Sequence, residues 1–548
     1  MTINVDKLFE DIVQPRGPWQ WGIVMLLMFS CCSPFSFPVY ANSVSPHRCR
    51  MEPVVEQYVR DHNLLFNEVA SSIGPWRTDH NSTFQTHSMG CVRYKLNWTN
   101  IDLDAVFIES KSPSQQTNET ELCPLGYVHE NSSHHYPGNV VKEFATVCAQ
   151  SWLVPLGTSL YLFGMAAGFL VGGWGAGKYG RKRTMLAASA VETVGAAWTS
   201  LSTNYIYYVL ARMVVSVGNV AKLSVAAVYM VEMTVARYRS IFNALLSLGI
   251  GLMYGSLMGL LAYLIPDWRL LNVAIEVPNL LSVLYFCYIP ESPRWLLSQN
   301  RYKEALKTLK RGCRINVRNS QASEQKLEDI FHDIIYEDGY VLNRPPDEGE
   351  ECSNRGKSKK SYVRVTILSC VINLLAALCS FGFIFYATSV RYYIYVIGVV
   401  NSLISLPSCI LFATVYRYSR YRKRPLMILI LLSGIALTVS SVYTVIFQPA
   451  TDIVLTVGIN IVLLFVNTSR SMLFVYIPEL FPSEIRTQRM GLIMGISRAG
   501  TVLCTFINEL DAYLGHGVPL LVYSGSLILL LVSLLFMNET SGENIPDT

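Results

Sequence analysis

Charge is scarce in this chain. Of its 548 residues only 15% are Asp, Glu, Lys or Arg, against about 25% in ordinary soluble domains. That shortage, with 51% apolar residues and a mean hydropathy of +0.32, excludes a disordered or fibrous chain and a typical soluble one. Also missing is any nucleophile–base arrangement, so no enzyme activity and no cofactor is expected. The stretch Gly172 to Tyr179 nearly spells a phosphate-binding loop, but Tyr179 stands where a magnesium-binding Ser or Thr is required. ATP and nucleic acid are therefore not expected partners. Histidine is sparse, and seven of the nine fall between residues 42 and 151 without metal-ligand spacing. No metal site is assigned.

What the sequence has is long apolar runs. A membrane helix needs about 20 such residues, and twelve segments qualify, at about 20–41, 152–176, 184–202, 205–231, 240–264, 270–289, 364–388, 392–416, 425–447, 453–477, 490–510 and 517–537. Pro34 and Pro38 interrupt the first, and no cleavage site follows it, so it is not a signal peptide. The expected architecture is an all-α membrane protein of two six-helix bundles. The first bundle occupies 1–289 and includes a large loop, 42–151; a loop at 290–363 follows, then the second bundle at 364–537 and a tail at 538–548.

Orientation follows from positive charge, which stays on the cytoplasmic side. Lys178, Arg181, Lys182 and Arg183 follow the second span, and Arg417, Arg420, Arg422, Lys423 and Arg424 follow the eighth. Both termini and the 290–363 loop are then cytoplasmic, with Lys357 to Lys360 a juxtamembrane anchor. The 42–151 loop is extracellular. It carries glycosylation sequons at Asn81, Asn97, Asn118 and Asn131, and the cysteines Cys49, Cys91, Cys123 and Cys148. Two disulfides in an oxidising compartment are expected, with three connectivities open. The same loop is the expected surface for any homo-oligomer.

The halves repeat weakly. Glu232 and Arg239 after the fourth span match Glu479 and Arg486 after the tenth, and the basic connectors also correspond. Parallel duplication of six spans is the mark of a carrier whose two bundles rock around a central site. Glycines at every fourth position, Gly164, Gly168, Gly172 and Gly251, Gly255, Gly259, with Gly491 and Gly495, let helices approach closely.

Several motifs are more specific. They are Pro290-Glu291-Ser292-Pro293-Arg294-Trp295, Ala262 to Arg269 ending Pro266-Asp267-Trp268-Arg269, Glu143 to Cys148, Glu479 to Arg486, and Gly173 to Arg183. On these residues the chain resembles the organic cation/anion/zwitterion transporters (solute carrier family 22) of the major facilitator superfamily. The resemblance implies a plasma-membrane secondary carrier of small organic ions, working by alternating access without ATP. It implies gate roles for Arg181, Lys182, Arg212, Glu232, Arg237, Arg239, Glu291, Arg294, Glu479 and Arg486. Two departures stand out: Gly177 and Tyr416 occupy positions where the superfamily usually has an acid.

Ionisable residues within spans are costly and mark function. Here they are Glu192, Arg212, Lys222, Glu276 and Arg498. Glu192 and Glu276 read as partners for nearby cations or as proton-coupling groups. Arg498 lies ~12 Å into the eleventh span at 1.5 Å per residue. In the resembled family this position is basic in anion and zwitterion carriers and acidic in cation carriers. Ser405, two before Pro407, stands where cation carriers often have an acid. Both point to organic anions or zwitterions, held by Arg498 and Lys222 with Tyr254, Phe381, Phe383, Tyr386 and Ser405 lining the path. The rival readings are a cation carrier, and a non-transporting relative acting as receptor or scaffold through its outer loop.

Overall fold

The computed structural model describes residues 5–31, 36–75, 90–107, 119–130, 136–235, 238, 241–242, 245–246, 249, 255–317, 320–341, 363–386, 394–419, 421, 423–449, 452–481, 483–537 and 539. Among the described residues nine helices are long and apolar enough to cross a membrane. The remaining three expected spans depart from that form for separate reasons. The first is split into Pro18–Ser30 and Phe37–Ala41, as its prolines require. The third, Arg181–Ser200, is a continuous helix whose Arg181-Lys182-Arg183 start makes it too polar. The fifth is described as a long helix only over Gly255–Leu264.

Three further spans are broken where the sequence reading drew them whole. The sixth is α-helix over Trp268–Glu276, 3-10 helix over Val277–Leu284 and α-helix again over Tyr285–Tyr288. Pro278 withholds a backbone N–H at the switch. The eighth divides into Ile394–Leu403 and Ser405–Tyr418, and the eleventh into Ser483–Gly500 and Leu503–Leu514.

Lipid is as apolar as the side chains it meets, so helices must join through close packing and polar ties. The Gly164, Gly168 and Gly172 stripe serves the first need within one half. A methyl at Gly172 would come within 2.9 Å of the Ala221 backbone in the fourth span, Tyr205–Glu232. Gly255 and Gly259 instead face Ser402 and Val399 of the eighth span, and Gly495 faces Leu170 of the second span, Leu153–Tyr179. These glycines line the seam between halves. Ser159 and Thr505 pair their hydroxyls across it at 2.6 Å.

The large loop has its own small core around Trp98, Val55 and Val69. Strand His47–Cys49 pairs antiparallel with Tyr127–His129, and Val92–Tyr94 with Thr120–Leu122. Disulfides join Cys49 to Cys123 and Cys91 to Cys148, which settles the connectivity. Arg48 grips Glu56 through its two terminal guanidinium nitrogens at 2.7 and 2.9 Å. The loop is pinned to the helices by its last segment. Trp268 donates its indole N–H to Glu143 at 2.7 Å, Tyr136 donates to the Ile265 carbonyl at 2.8 Å, and Gly138 bridges to Asp267. Two motifs far apart in sequence thus form one joint. Of the sequons, Asn97 is exposed; Asn81, Asn118 and Asn131 lie outside the described residues.

Candidate functional site: a charge cluster at the seam between two helical halves

At the end opposite the large loop, the third span begins on a carboxylate. Glu291 accepts the backbone N–H of Arg181 at 2.7 Å and of Lys182 at 3.2 Å. Helix N-termini leave such N–H groups unpaired and favour an anion. Burial pushes the Glu291 carboxyl above its ordinary value, and these N–H groups pull it back. Gly180 makes the approach possible. Its φ is +97°, and a Cβ there would come within 2.8 Å of the Glu291 carboxyl carbon. The Arg181 guanidinium meets Glu232 at 2.5 Å. Arg294 donates to the Glu232 carbonyl at 3.1 Å and to Asp6 at 2.6 Å, and Trp295 donates to the Gly177 carbonyl at 3.0 Å. The space beside Gly177 is open, so no steric barrier accounts for the missing acid. Lys182 reaches the Phe286 carbonyl at 2.9 Å. Arg237 and Arg239 lie outside the described residues, as do the side chains of Tyr416, Glu479 and Arg486.

Inside the first half, Lys222 is wholly buried and meets Glu192 at 2.5 Å. It also donates to Asn279 at 2.6 Å and to the Ser30 carbonyl at 3.0 Å. One ammonium therefore joins the first, third, fourth and sixth spans. Its stem does not run to the membrane face, and it is not brought to the cluster around Arg498. Arg212 is 2% exposed and lies against the faces of Phe37 and Tyr161 at 4.6 and 4.7 Å. Glu276 is 8% exposed, and neither carboxyl oxygen has a hydrogen-bond partner.

Arg498 occupies the last turn before the break in the eleventh span. Thr501 caps that turn, its hydroxyl donating to the Arg498 carbonyl at 2.6 Å. The guanidinium sits 4.9 Å from the ring centre of Phe381 in the seventh span, Val363–Tyr386, and 5.4 Å from that of Phe169 in the second. It is thus flanked by an aromatic from each half. Its Nη1 is buried with no hydrogen-bond partner. A second guanidinium, Arg470 of the tenth span, lies 6.0 Å from the same Phe381 ring. Among the described residues no carboxylate forms an ion pair with either arginine. Arg470 escaped the sequence reading, although it satisfies the criterion that found Arg498: a charge deep in an apolar helix.

Phe381 and Phe385 share a face and touch at 6.2 Å between ring centres. Phe383 and Tyr386 do not join them. Phe383 packs on Tyr523 inside the second half, and Tyr386 donates to Asp511 at 2.5 Å. Ser405 opens the second segment of the eighth span, and its carbonyl accepts from Ser408 at 2.9 Å. Tyr254 lies outside the described residues. His47, Cys91 and Cys148 gather closely enough to hold a metal, but the two cysteines are spent on each other.

Two helical halves meeting at a charged, aromatic seam define a solute carrier. The chain belongs to the sugar (and other) transporter family, whose model matches residues 104–546. It is 25% identical over 538 residues to organic cation/carnitine transporter 2 of Rattus norvegicus, covering 96% of this chain and 91% of that protein. It is 30% identical over 242 residues to solute carrier family 22 member 2 of Rattus norvegicus, covering 43% and 42% of the two chains. In fold it is similar to the partially occluded, inward-open xylose transporter XylE from E. coli, at 17% identity and TM-score 0.57, covering 74% of this chain and 91% of that one. The protein is therefore a multi-pass secondary transporter of the major facilitator fold.

Proposed function

We propose that this carrier moves small organic anions, or zwitterions bearing a carboxylate, across the plasma membrane by alternating access. The observation that carries the reading is the convergence of Arg470 and Arg498 on Phe381 with no carboxylate paired to either among the described residues. A guanidinium pairs with carboxylate or sulfonate through two parallel hydrogen bonds. Phe381 and Phe169 offer flat apolar faces to the body of such a solute. Arg498, Arg470, Phe381 and Phe169 are the proposed contact residues, with Ser405 and Tyr254 further along the path.

The cluster also supplies a reason to cycle. Two like charges beside one ring repel when the site is empty and dry, and a bound anion removes that repulsion. Closure of the seam is then favoured when loaded. Arg181, Glu232, Glu291 and Arg294 form the proposed latch at the cytoplasmic end. The relatives include organic cation/carnitine transporters, and carnitine is a carboxylate-bearing zwitterion, which supports the second half of the proposal. The glycosylation sequons and disulfides of the 42–151 loop support an extracellular placement, with both termini inside.

The test is uptake into proteoliposomes of radiolabelled benzenesulfonate, L-carnitine and tetraethylammonium, in wild type and in Arg498→Asp. Uptake of the first two, lost in the variant at equal reconstituted amounts, is expected. Uptake of tetraethylammonium alone would establish a cation carrier. Surface-expressed protein that moves none of the three and binds a protein through residues 42–151 would favour a receptor.

A further inference from the structure

Glu276 has a chemistry that the anion site leaves unused. It is the last residue of helix Trp268–Glu276, next to the 3-10 stretch Val277–Leu284. It is 8% exposed, and neither oxygen finds a donor. An unpaired carboxylate ion is costly to bury; a neutral carboxyl far less so. The buried position of Glu276 thus suits the acid form.

The surroundings are charged but not in contact. Glu192 of the third span and Lys222 and Arg212 of the fourth act on Glu276 through space, and Tyr161 of the second span feels its charge. Helix Gly255–Leu264 of the fifth span packs on this segment and brings only Tyr263, which is largely exposed. Glu192 and Lys222 are already committed to each other. Ionised, Glu276 would face one carboxylate and two cations; water entering as the halves part would make that state affordable.

The backbone supplies a coupling element. A stretch of 3-10 helix inside a span is a common hinge. Three residues beyond Glu276, Asn279 accepts from Lys222 at 2.6 Å and donates to Thr193 at 3.0 Å. A change of charge at Glu276 is therefore three residues from the polar knot that joins the first, third, fourth and sixth spans.

We propose that Glu276 is a proton-binding site of the transport cycle, so that solute movement is coupled to protons. This rests on the transport reading above. The step makes and breaks only the Glu276 O–H bond, with the proton taken from water on one side and released to water on the other. The proposed ion is a proton because the carboxyl is buried with no hydrogen-bond donor, an arrangement that favours its neutral form.

Two measurements test it. The first needs no solute: infrared spectra of purified protein in lipid between pH 6 and 9. Wild type should show the carbonyl stretch of a buried protonated carboxyl near neutral pH, and Glu276→Gln should lack it. Identical spectra would overturn the proposal. The second uses proteoliposomes and benzenesulfonate, which remains an anion at every pH used, with L-carnitine in parallel. An inward proton gradient should raise wild-type uptake several-fold. Glu276→Gln should lose that stimulation and keep exchange of labelled for unlabelled solute, and Glu276→Asp should recover part of it. Stimulation by sodium in place of protons, or full proton stimulation in Glu276→Gln, would overturn the site. If wild type moves neither solute, the transport reading fails and the infrared result alone decides whether Glu276 holds a proton.

Discussion

Lys222 in the fourth span and Arg498 in the eleventh are both cations set deep in apolar helices. Lys222 touches a carboxylate, an amide and a carbonyl. Arg498 touches two phenyl rings, and part of its guanidinium has no partner. A buried charge matched by an opposite charge holds helices in register; a buried charge with none beside it is a demand for something absent. Burial alone therefore does not mark a binding residue in a carrier. Burial without an ion-pair partner does.

The contrast can be broken from either side. The largest effect should come from Arg498→Asp, which places a carboxylate against the incoming anion and should abolish benzenesulfonate uptake at unchanged surface amount. Normal uptake kinetics in that variant would erase the distinction. Next is Lys222→Met, which leaves Glu192 buried without its partner. Breaking a buried pair costs about 3–5 kcal/mol. The single variant should fail to reach the surface, and Lys222→Met with Glu192→Leu should recover much of the yield in a fluorescence-detected size-exclusion assay. If both behave like wild type, the pair is not structural.

The second half has its own satisfied charge, and it titrates. His516 lies between Asp511 at 3.0 Å and Asp452 at 2.9 Å. Burial lowers its affinity for a proton, but the two carboxylates outweigh it and raise the pKa to about 9. Because the folded value lies above the unfolded one, the stabilisation is complete below about pH 6.5. It is lost as pH climbs through 9. The loss is on the order of 3 kcal/mol at 1.36 kcal/mol per unit. The melting temperature of wild type should fall from pH 7 to 10, and His516→Gln should start lower and stay flat. A variant with the wild-type pH profile would remove His516 from this account. The smallest effect is Arg470→Gln. Losing one charged hydrogen bond of about 1.5–3 kcal/mol should raise the KM for benzenesulfonate roughly ten- to a hundredfold. No change would leave Arg498 as the single proposed anion contact.

Much of the fold was legible because a membrane span is a matter of length and polarity, both plain in one dimension. The joint between Glu143 and Trp268 was legible only as two unrelated motifs. The break at 404 is marked in the sequence by Pro407, which leaves the Leu403 carbonyl without its helical N–H donor; the break at 501–502 has no such proline. The helical phase of the seventh span is itself legible in the sequence. At 100° per residue Phe383 lies on the far side of the helix from Phe381, whereas Phe385 returns to the same face. Naming Phe381 and Phe383 together as path residues ignored that phase. The Glu192–Lys222 contact depends on how two helices are rotated against each other, which nothing local dictates. Pairing of the four loop cysteines was likewise open among three choices until the strands fixed their neighbours.

The first dozen or so residues have a practical consequence. Phe9 and Val13 are wholly buried against Leu309, Cys313 and Phe331, and Asn316 ties back to the Val13 carbonyl at 2.9 Å. With Asp6 holding Arg294, the amino-terminal segment works as a wedge between the inner helices and the bundle. A reporter protein fused directly before it, or a trimmed amino end, would loosen that wedge; labels for trafficking or purification belong at the opposite terminus.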